Sequence, residues 1–411
     1  MEAVDEYFDM LIKSRFIEMF GHINLNEKNL PMKTLNEVCL LVTDGSHYSP
    51  ADEPDGKYPM LSVKDLSNGK FNYSDCKHIN QGEYDKLVKD GCKPIKNDVL
   101  IAKDGSVFQK SMIITDEIDQ VILSSIAIIR PDTDVANPVY LERYLMSDYV
   151  KEDVINNYTT GTAIRRIILK NLAKLKLIVP EIEAQNEFAS FVQQVDKSKA
   201  IVQKCIDKYD LLVKSRFIEM FGAVDNPKVP FEQLGNIATY VNGYAFKPSD
   251  WGTEGLPIIR IQNLSGSGDS FNYYSGTYPP AIEINKGDIM ISWSATLGVF
   301  VWDGPKALLN QHIFKVYFDK LEVNPTYFRV AVEPALERSA SKVHGSTMTH
   351  LTKKTFDSIM VPLPSINKQN EFASFVHQVD KSKFEVVQSL LRLKSKYMHT
   401  ETPSERTDCD L

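Results

Sequence analysis

Apolar residues recur along two stretches of the chain at alternating spacings of four and three. The first run passes through Phe188, Val192, Val195, Val202 and Val213. The second repeats the pattern through Phe372, Val376, Val379, Val386, Leu390 and Leu393. A period of 3.5 residues, uninterrupted by Pro or Gly from 186 to 221, is typical of a coiled-coil seam. The pattern predicts two long helices, a central one over 184–222 and a C-terminal one over 367–399.

The same segments reveal an internal duplication. The string KSRFIEMFG at 13–21 recurs unchanged at 214–222, and NEFASFVQQVDKSK at 186–199 recurs at 370–383 with 13 of 14 positions identical. The repeat is much longer than the 20–50 residues of a solenoid unit, which indicates one duplication of a large module. Residues 1–22 match the second half of the central helix. We therefore expect the N-terminal helix to complete a second rod antiparallel to the first.

The segments between the helices, 23–183 and 223–366, share an outline but differ in sequence. KNDVLIAKDG at 96–105 is similar to KGDIMISWSA at 286–295. Short β-rich runs separated by turn residues predict strands over 98–102, 121–129, 257–261, 288–293 and 312–318. The fold class is therefore α+β, with two mixed globular domains on a duplicated helical frame. Residues 400–411 read as a polar tail.

Composition and charge narrow the class of protein. The chain has 411 residues, 25% charged and 43% hydrophobic, with net charge −7 and five dispersed cysteines without a CxxC pair. These features predict a soluble, reduced, cytoplasmic protein without a membrane segment. The net charge offers no general attraction for nucleic acid. One stretch, 159–180, nevertheless contains five basic residues and no acidic one: Arg165, Arg166, Lys170, Lys174 and Lys176.

Two possible catalytic signals have simpler explanations. The run Asn324-Pro325-Thr326-Tyr327 resembles the loop with which amino-methyltransferases hold a target amine, but Asn137-Pro138-Val139-Tyr140 stands at the corresponding place in the first half. Asn as a helix N-cap and Pro at the first helical position account for both copies. No glycine-rich cofactor loop follows a strand, which disfavours methyl transfer by this chain.

The second signal is a loose metal-site pattern. Asp55, Asp75 and Lys77 fit a metal-dependent nuclease only in outline, and Asp55 lies in a ready turn. Cys76, His78 and Cys92 lack a fourth ligand and any known zinc spacing. A phosphate loop is also missing from the sequence. The sequence therefore predicts no catalytic site and no bound metal.

The order of several longer motifs identifies a resemblance that covers essentially the whole chain. These are DGSH (44–47), TTGTAIRRIILKNLAKLKLIVPEIEAQNEF (159–188), GYAFKPSDWGTEGLPIIRIQNL (243–264), KGDIMISWSATLG (286–298), LNQHIFKV (309–316) and VPLPSINKQNEF (361–372). Together with the paired helices ending in RFIEMFG, the chain resembles a specificity (S) subunit of a type I restriction-modification system. One departure is that the C-terminal helix lacks the RFIEMFG ending.

The resemblance implies a function and a set of partners. It implies two target recognition domains at opposite ends of two antiparallel coiled-coil helices, each reading half of a bipartite site in double-stranded DNA. The helices would set the spacer and dock two modification subunits, which use S-adenosylmethionine, while restriction subunits use ATP and Mg²⁺. The chain itself would bind no cofactor and would not be an enzyme.

The expected DNA contacts combine residue chemistry with this resemblance. Arg suits guanine, Asn and Gln suit adenine, and Lys, Ser and Thr more often hold phosphates. The first domain offers Ser46, His47, Lys64, Lys103, Ser106, Arg165, Arg166 and Lys170. The second offers Tyr244, Phe246, Lys247, Arg260, Gln262, Asn263, Gln311, His312, Ser346, Thr347 and His350.

Two alternatives remain open at this point. A purely structural coiled-coil adaptor would carry the helices without reading DNA, although unequal inserts on equal helices disfavour it. A fragment of a split methyltransferase or nuclease would bind its own cofactor, although the missing cofactor loop disfavours it.

Overall fold

The computed structural model describes residues 2–67, 69–161, 165–223, 226–266, 268, 270–294, 296–341 and 352–398. Its contacts divide the chain into two compact units, Met1–Ile201 (unit 1) and Val202–Leu411 (unit 2). Ser346, Thr347 and His350 lie outside the described residues.

Unit 1 begins with a helix and continues into a mixed domain. Its helices are α1 (Glu2–Phe20), α2 (Gln81–Lys89), α3 (Pro138–Leu145), α4 (Asp148–Asp153) and α5 (Leu169–Leu172), with a 3-10 turn at Leu35–Glu37 and a π-helical turn at Val154–Tyr158. Its strands are β1 (Met32–Thr34), β2 (Cys39–Asp44), β3 (Tyr58–Leu61), β4 (Leu66–Ser67), β5 (Lys70–Phe71), β6 (Lys77–Ile79), β7 (Val99–Ala102), β8 (Ser111–Ile113), β9 (Val121–Ile122), β10 (Ile126–Pro131), β11 (Thr159–Thr160), β12 (Arg166–Ile167) and β13 (Lys176–Ile178).

The central helix α6 (Ile182–Phe221) spans the division between the units. The further helices are α7 (Leu234–Ile237), α8 (Ile261–Leu264), α9 (Pro325–Ser341), α10 (Lys353–Asp357) and α11 (Ile366–Met398), with 3-10 turns at Pro248–Asp250 and Pro280–Ile282. The strands are β14 (Gly222–Ala223), β15 (Asn226–Pro227), β16 (Phe231–Gln233), β17 (Thr239–Asn242), β18 (Leu256–Ile259), β19 (Asn272–Tyr274), β20 (Glu283–Ile284), β21 (Ile289–Ser292), β22 (Gly298–Val301), β23 (Ala307–Leu309), β24 (Ile313–Tyr317) and β25 (Met360–Pro362).

The two units share a sheet topology. A four-stranded antiparallel sheet has the order β2-β10-β7-β8 in unit 1 and β17-β24-β21-β22 in unit 2. A second sheet has the order β6-β3-β9 in unit 1 and β19-β18-β23-β20 in unit 2. The central strands β7 and β21 are buried along their whole length, and all their residues except Ser292 are apolar. The α+β class is confirmed.

The single strand predicted over 121–129 is two strands in the structure. The apolar run 121–129 divides into β9 and β10, because the chain turns between them. The turn is held by the Leu123 amide, which donates to Leu61 O (2.8 Å), and by the Ser124 amide, which donates to Ser46 O (2.9 Å). As a result β9 joins one sheet and β10 the other, and the chain between them passes the strand ends described below.

The helices pair within each unit through a repeated aromatic cluster. In unit 1 the Phe16 ring stacks on Tyr140 at 5.8 Å and meets Phe188 edge-on at 5.5 Å. In unit 2 the Phe217 ring stacks on Tyr327 at 5.8 Å and meets Phe372 at 5.5 Å. Phe20 with Phe188, and Phe221 with Phe372, occupy equivalent positions of the repeat, and the ring centroids of each pair are 5.6 Å apart. Unit 1 thus obtains from α1 the packing that unit 2 obtains from the end of α6.

The lysines that interrupt the seam have acidic partners on the paired helix. Lys199 Nζ lies 2.8 Å from Asp5, and Lys383 forms an ion pair with Asp210. Phe16 of α1 meets Phe188 while Asp5 meets Lys199, so α1 runs antiparallel to the first half of α6. The predicted coiled-coil pairing is confirmed within each unit.

Candidate nucleic-acid interface

Polar residues gather at one end of the four-stranded sheet in each unit. In unit 1, Asp44 ends β2 and Ala102 ends β7, and both pair with the start of β10. Because the strands are antiparallel, the segments after β2, after β7 and before β10 meet at the same edge. The segments after β2 and after β7 contain four of the eight first-domain residues predicted from the sequence: Ser46, His47, Lys103 and Ser106.

Glycine permits a close crossing at this edge. A Cβ atom on Gly45 would lie 2.1 Å from Ile122 O, and one on Gly243 would lie 2.0 Å from Asn310 O. A side chain at either position would displace the backbone. The crossing places Ser46 beside Leu123 and Tyr244 beside Asn310 in isolated parallel bridges. The two units therefore present side chains at equivalent places in the same backbone frame.

Unit 1 fills this frame with a chain of contacts between ionisable side chains. His47 Nε2 lies 3.3 Å from Asp44 Oδ2, which lies 3.2 Å from Lys103 Nζ. Lys103 Nζ is also 3.5 Å from Asp104 Oδ1, which is 3.5 Å from Arg166 Nε. The Lys103 side chain is only 7% exposed, whereas His47 and Arg166 are 76% and 58% exposed. The buried Lys103 thus lies in the middle of this series of contacts, and the exposed His47 and Arg166 lie at its two ends.

Unit 2 fills the equivalent positions with uncharged groups. Trp293 follows β21 as Lys103 follows β7, and its Nε1 donates to Asn242 Oδ1 at 3.3 Å. The Trp293 ring stacks on Phe314 at 5.5 Å and meets His312 edge-on at 5.0 Å. His312 has φ of +71°, in the left-handed region that His enters more readily than most residues. The same frame therefore presents different side-chain chemistry in each unit.

The structure separates the first-domain predictions into exposed and internal groups. Arg165, Arg166 and Lys170 are exposed, as are His47 and Lys64. Ser106 is half-buried in the turn after Lys103.

Two of the first-domain predictions need correction. Ser46 is buried and its Oγ donates to Tyr48 O at 2.6 Å, so its hydroxyl stabilises the turn. Lys103 is buried between two carboxylates, which leaves it no access to a phosphate. Both side chains therefore stabilise the surface from the protein interior.

The second-domain predictions divide in the same way. Tyr244, Lys247, Gln262 and Gln311 are exposed. The half-buried Arg260 guanidinium lies 5.5 Å from the centroid of the Trp251 ring.

Two second-domain predictions are also corrected. Phe246 is buried in the core of the β18 sheet. Asn263 donates to Gly268 O and Ser270 O and accepts from the Arg260 amide, each at 3.0 Å, which uses both ends of its side-chain amide. Phe246 and Asn263 therefore hold the loop and are not placed to read a base.

Sequence reasoning missed three residues of the site: Asp44, Asn242 and Trp293. The alignment of KNDVLIAKDG with KGDIMISWSA places Trp293 opposite Lys103, so the signal was present. It was not recognised because a tryptophan after a strand usually belongs to a core.

The rival catalytic signals are structural where the structure describes them. Asn137 Oδ1 accepts from the Val139 amide at 2.9 Å, and Asn324 Oδ1 accepts from the Thr326 amide at 3.0 Å. Both asparagines are N-caps, as predicted. Within the described residues, no group of three or more His, Cys, Asp or Glu side chains could hold a metal ion. In the same part of the chain, no helix has the length and apolarity to cross a membrane.

Comparison with known proteins gives a match over most of the chain. The family model described as the type I restriction modification DNA specificity domain matches residues 27–208 and again 228–392. The two matches coincide with the two copies of the internal duplication.

Individual relatives are distant. The EcoBI type I restriction enzyme specificity subunit of Escherichia coli is 28% identical over 156 residues, 36% of this chain and 33% of that one, so this match spans about a third of the relative's length. The MjaVIII type I specificity subunit of Methanocaldococcus jannaschii is 21% identical over 359 residues, 79% of this chain and 83% of that one. The solved S subunit of a type I restriction-modification system from M. genitalium has a TM-score of 0.45 and 15% identity, covering 92% of this chain and 98% of that one.

Proposed function

This chain belongs to the type I restriction-modification DNA specificity family, and we propose that each of its two units reads one half of a bipartite site in double-stranded DNA. One observation carries the proposal. The same strand-end frame holds Asp44 and Lys103 in unit 1 but Asn242 and Trp293 in unit 2. A protein that read one sequence twice would need no such difference, whereas two different half-sites require it.

The charge distribution supports a role for partner subunits in DNA binding. Affinity for DNA comes largely from neutralised phosphates, and this chain has net charge −7. The exposed basic residues Arg165, Arg166, Lys170 and Lys174 form only a local strip. We infer that the partner subunits complete the positive surface around the DNA.

A duplicated apolar ridge supports docking of one partner in two copies. Met10 and Ile17 are 45% and 41% exposed on α1, and the matching Leu211 and Ile218 are 62% and 52% exposed on α6. Residues seven apart lie on the same helix face. Because this apolar surface occurs twice with the same spacing, it fits two identical modification subunits.

We further propose that the chain is not an enzyme by itself. The Asn-Pro segments that resemble a methyltransferase loop cap helices α3 and α9 in the structure. Methyl transfer from S-adenosylmethionine, and cleavage driven by ATP and Mg²⁺, would then belong to modification and restriction subunits. We place the complex in the cytoplasm, since its proposed substrate is cellular DNA.

An insert exchange tests the reading function. Residues 243–350 are replaced by the second insert of another family member, and adenine methylation is mapped in cells that express the complete complex. We expect one half-site to change and the other to stay the same. If neither half-site changes, the chain is a structural adaptor, and if both change together, the two-reader proposal is wrong.

A charge placed on each ridge tests the docking proposal. Ile17→Lys and Ile218→Lys should each remove one modification subunit from the complex, measured by native mass spectrometry. Ile201→Lys is the matched control, because Ile201 is 54% exposed on the same helix and has no counterpart in α1. Two bound subunits in both ridge variants would contradict the proposed docking surface.

A further inference from the structure

Arg166 has an environment that differs from that of its basic neighbours. We propose, resting on the function proposed above, that Arg166 reads a guanine in the half-site of unit 1, and that Asp104 and Lys103 are positioning residues behind it. The basic residues then have three roles: Arg166 reads a base, Lys103 supports it from the interior, and neighbours such as Arg165 contact phosphates.

Lys103 is the internal support of the arrangement. Its Nζ lies 3.2 Å from Asp44 Oδ2 and 3.5 Å from Asp104 Oδ1, and its side chain is 7% exposed. A buried ammonium needs paired carboxylates to offset its desolvation. Lys103 therefore fixes both aspartates at the strand ends and has no free charge for DNA.

Asp104 directs the Arg166 guanidinium. Its Oδ1 is buried, receives no hydrogen bond within the described residues, and lies 3.5 Å from Arg166 Nε. The shortest contact is made by the Nε atom, and within the described residues the two terminal nitrogens make no hydrogen bond. These nitrogens form the fork that binds guanine O6 and N7 bidentately.

The backbone around Arg166 is anchored on both sides. Arg166 pairs with Thr160 in a short antiparallel ladder and bridges to Asp104. The next residue, Ile167, is buried and its amide donates to Lys103 O at 3.0 Å. A recognition side chain is most selective when its backbone and its supporting contacts are fixed before binding.

Arg165 offers the natural contrast. It is exposed, and its carbonyl accepts a hydrogen bond from the Gly105 amide at 2.8 Å. An arginine without a supporting carboxylate adapts to a phosphate and carries no base preference. Arg165 and Arg166 are thus matched residues with different expected roles.

Unit 2 lacks this chemistry at the same positions. Trp293 stands where unit 1 has Lys103, and Ser294 stands where it has Asp104. The guanine contact is therefore expected in the half-site of unit 1, and the half-site of unit 2 becomes an internal control.

The test measures methylation of a DNA library, randomised in both half-sites, by the complex with its modification subunits. Arg166→Ala should lower discrimination at one guanine by roughly tenfold to a hundredfold and leave the other half-site unchanged. Arg165→Ala should weaken methylation of all sequences alike. The inference is overturned if Arg166→Ala keeps every base preference, or if Arg165→Ala relaxes the same base pair.

A second pair of variants separates positioning from folding. Asp104→Asn should relax the same base pair less strongly and leave the other half-site unchanged. Hydrogen exchange should show that unit 1 remains folded, because Lys103 keeps Asp44 as a partner. If Arg166→Ala abolishes methylation, Arg166→Lys decides, since lysine keeps the charge without the fork. Relaxation at that guanine supports the inference, and wild-type discrimination refutes it. Failure of the wild-type complex to select any bipartite sequence would instead refute the proposed function.

Discussion

Gln185 joins the first domain to the central helix through three hydrogen bonds. Its Oε1 accepts from the Asn137 amide at 2.9 Å, and its Nε2 donates to Pro180 O at 2.7 Å and Val135 O at 3.0 Å. The side chain is completely buried. Gln185→Leu keeps the approximate size and removes all three bonds, so the change isolates their contribution.

The magnitude follows from the groups left behind. One partner, Pro180 O, is buried and costs about 2 kcal/mol when left without a bond, whereas the half-buried Asn137 amide and Val135 O can bind water and cost about 1 kcal/mol each. Apolar burial of leucine offsets about 2 kcal/mol. We expect a net loss of about 2 kcal/mol in the stability of unit 1. Gln369 is the equivalent residue of unit 2. Within the described residues its side chain makes two hydrogen bonds instead of three, with the Asn324 amide (2.9 Å) and Pro364 O (2.8 Å). Gln369→Leu should therefore cost less than Gln185→Leu, by about 1 kcal/mol.

The assay must resolve the two units, since a chain with two compact units need not unfold in one step. Hydrogen exchange followed by mass spectrometry reports protection of the segment after Asn137 and of the segment after Asn324 separately. Gln193→Leu is the control, because Gln193 is exposed on the same helix and its change should stay within about 0.5 kcal/mol. If Gln185→Leu exchanges no faster than Gln193→Leu, the hydrogen-bonded junction does not stabilise the unit.

Three further outcomes are expected. Four residues inserted after the exposed Lys204 extend α6 by about 6 Å and slightly more than one turn. Methylation mapping should then show the same half-sites with a spacer one or two base pairs longer. An unchanged spacer would mean that the helix does not set the spacer length. Burial is the larger cause, and repulsion from Asp132 the smaller, of a pKa of about 12 for the Cys39 thiol. At pH 8 this thiol therefore stays protonated and should react with iodoacetamide far more slowly than in the urea-unfolded chain. Equal reaction rates would contradict this expectation. Asn324→Ala, in a chain that keeps Asn370, removes the N-cap of α9 and should destabilise unit 2 by about 1 kcal/mol in the hydrogen-exchange experiment. No change in exchange would mean that the cap is replaceable.

The sequence alone determined the helical frame, because its signals are local and periodic. The spacing around Phe188 and Phe372 predicts α6 and α11 almost to their ends, since a coiled-coil seam needs only one apolar stripe. The repeat of RFIEMFG also predicts that α1 takes the place of the end of α6. The N-caps at Asn137 and Asn324 were readable for the same reason, because a cap depends on neighbours two or three residues away.

The candidate site was determined only by the tertiary structure. Lys103 and Arg166 are similar basic residues in the sequence, yet the fold buries one between Asp44 and Asp104 and exposes the other. Their difference depends on strand ends that are 59 or more residues apart in the chain, as Asp44 and Lys103 are. Sequence patterns report which face of an element is apolar, but a buried charge is identified only when its partners from distant strands are in place.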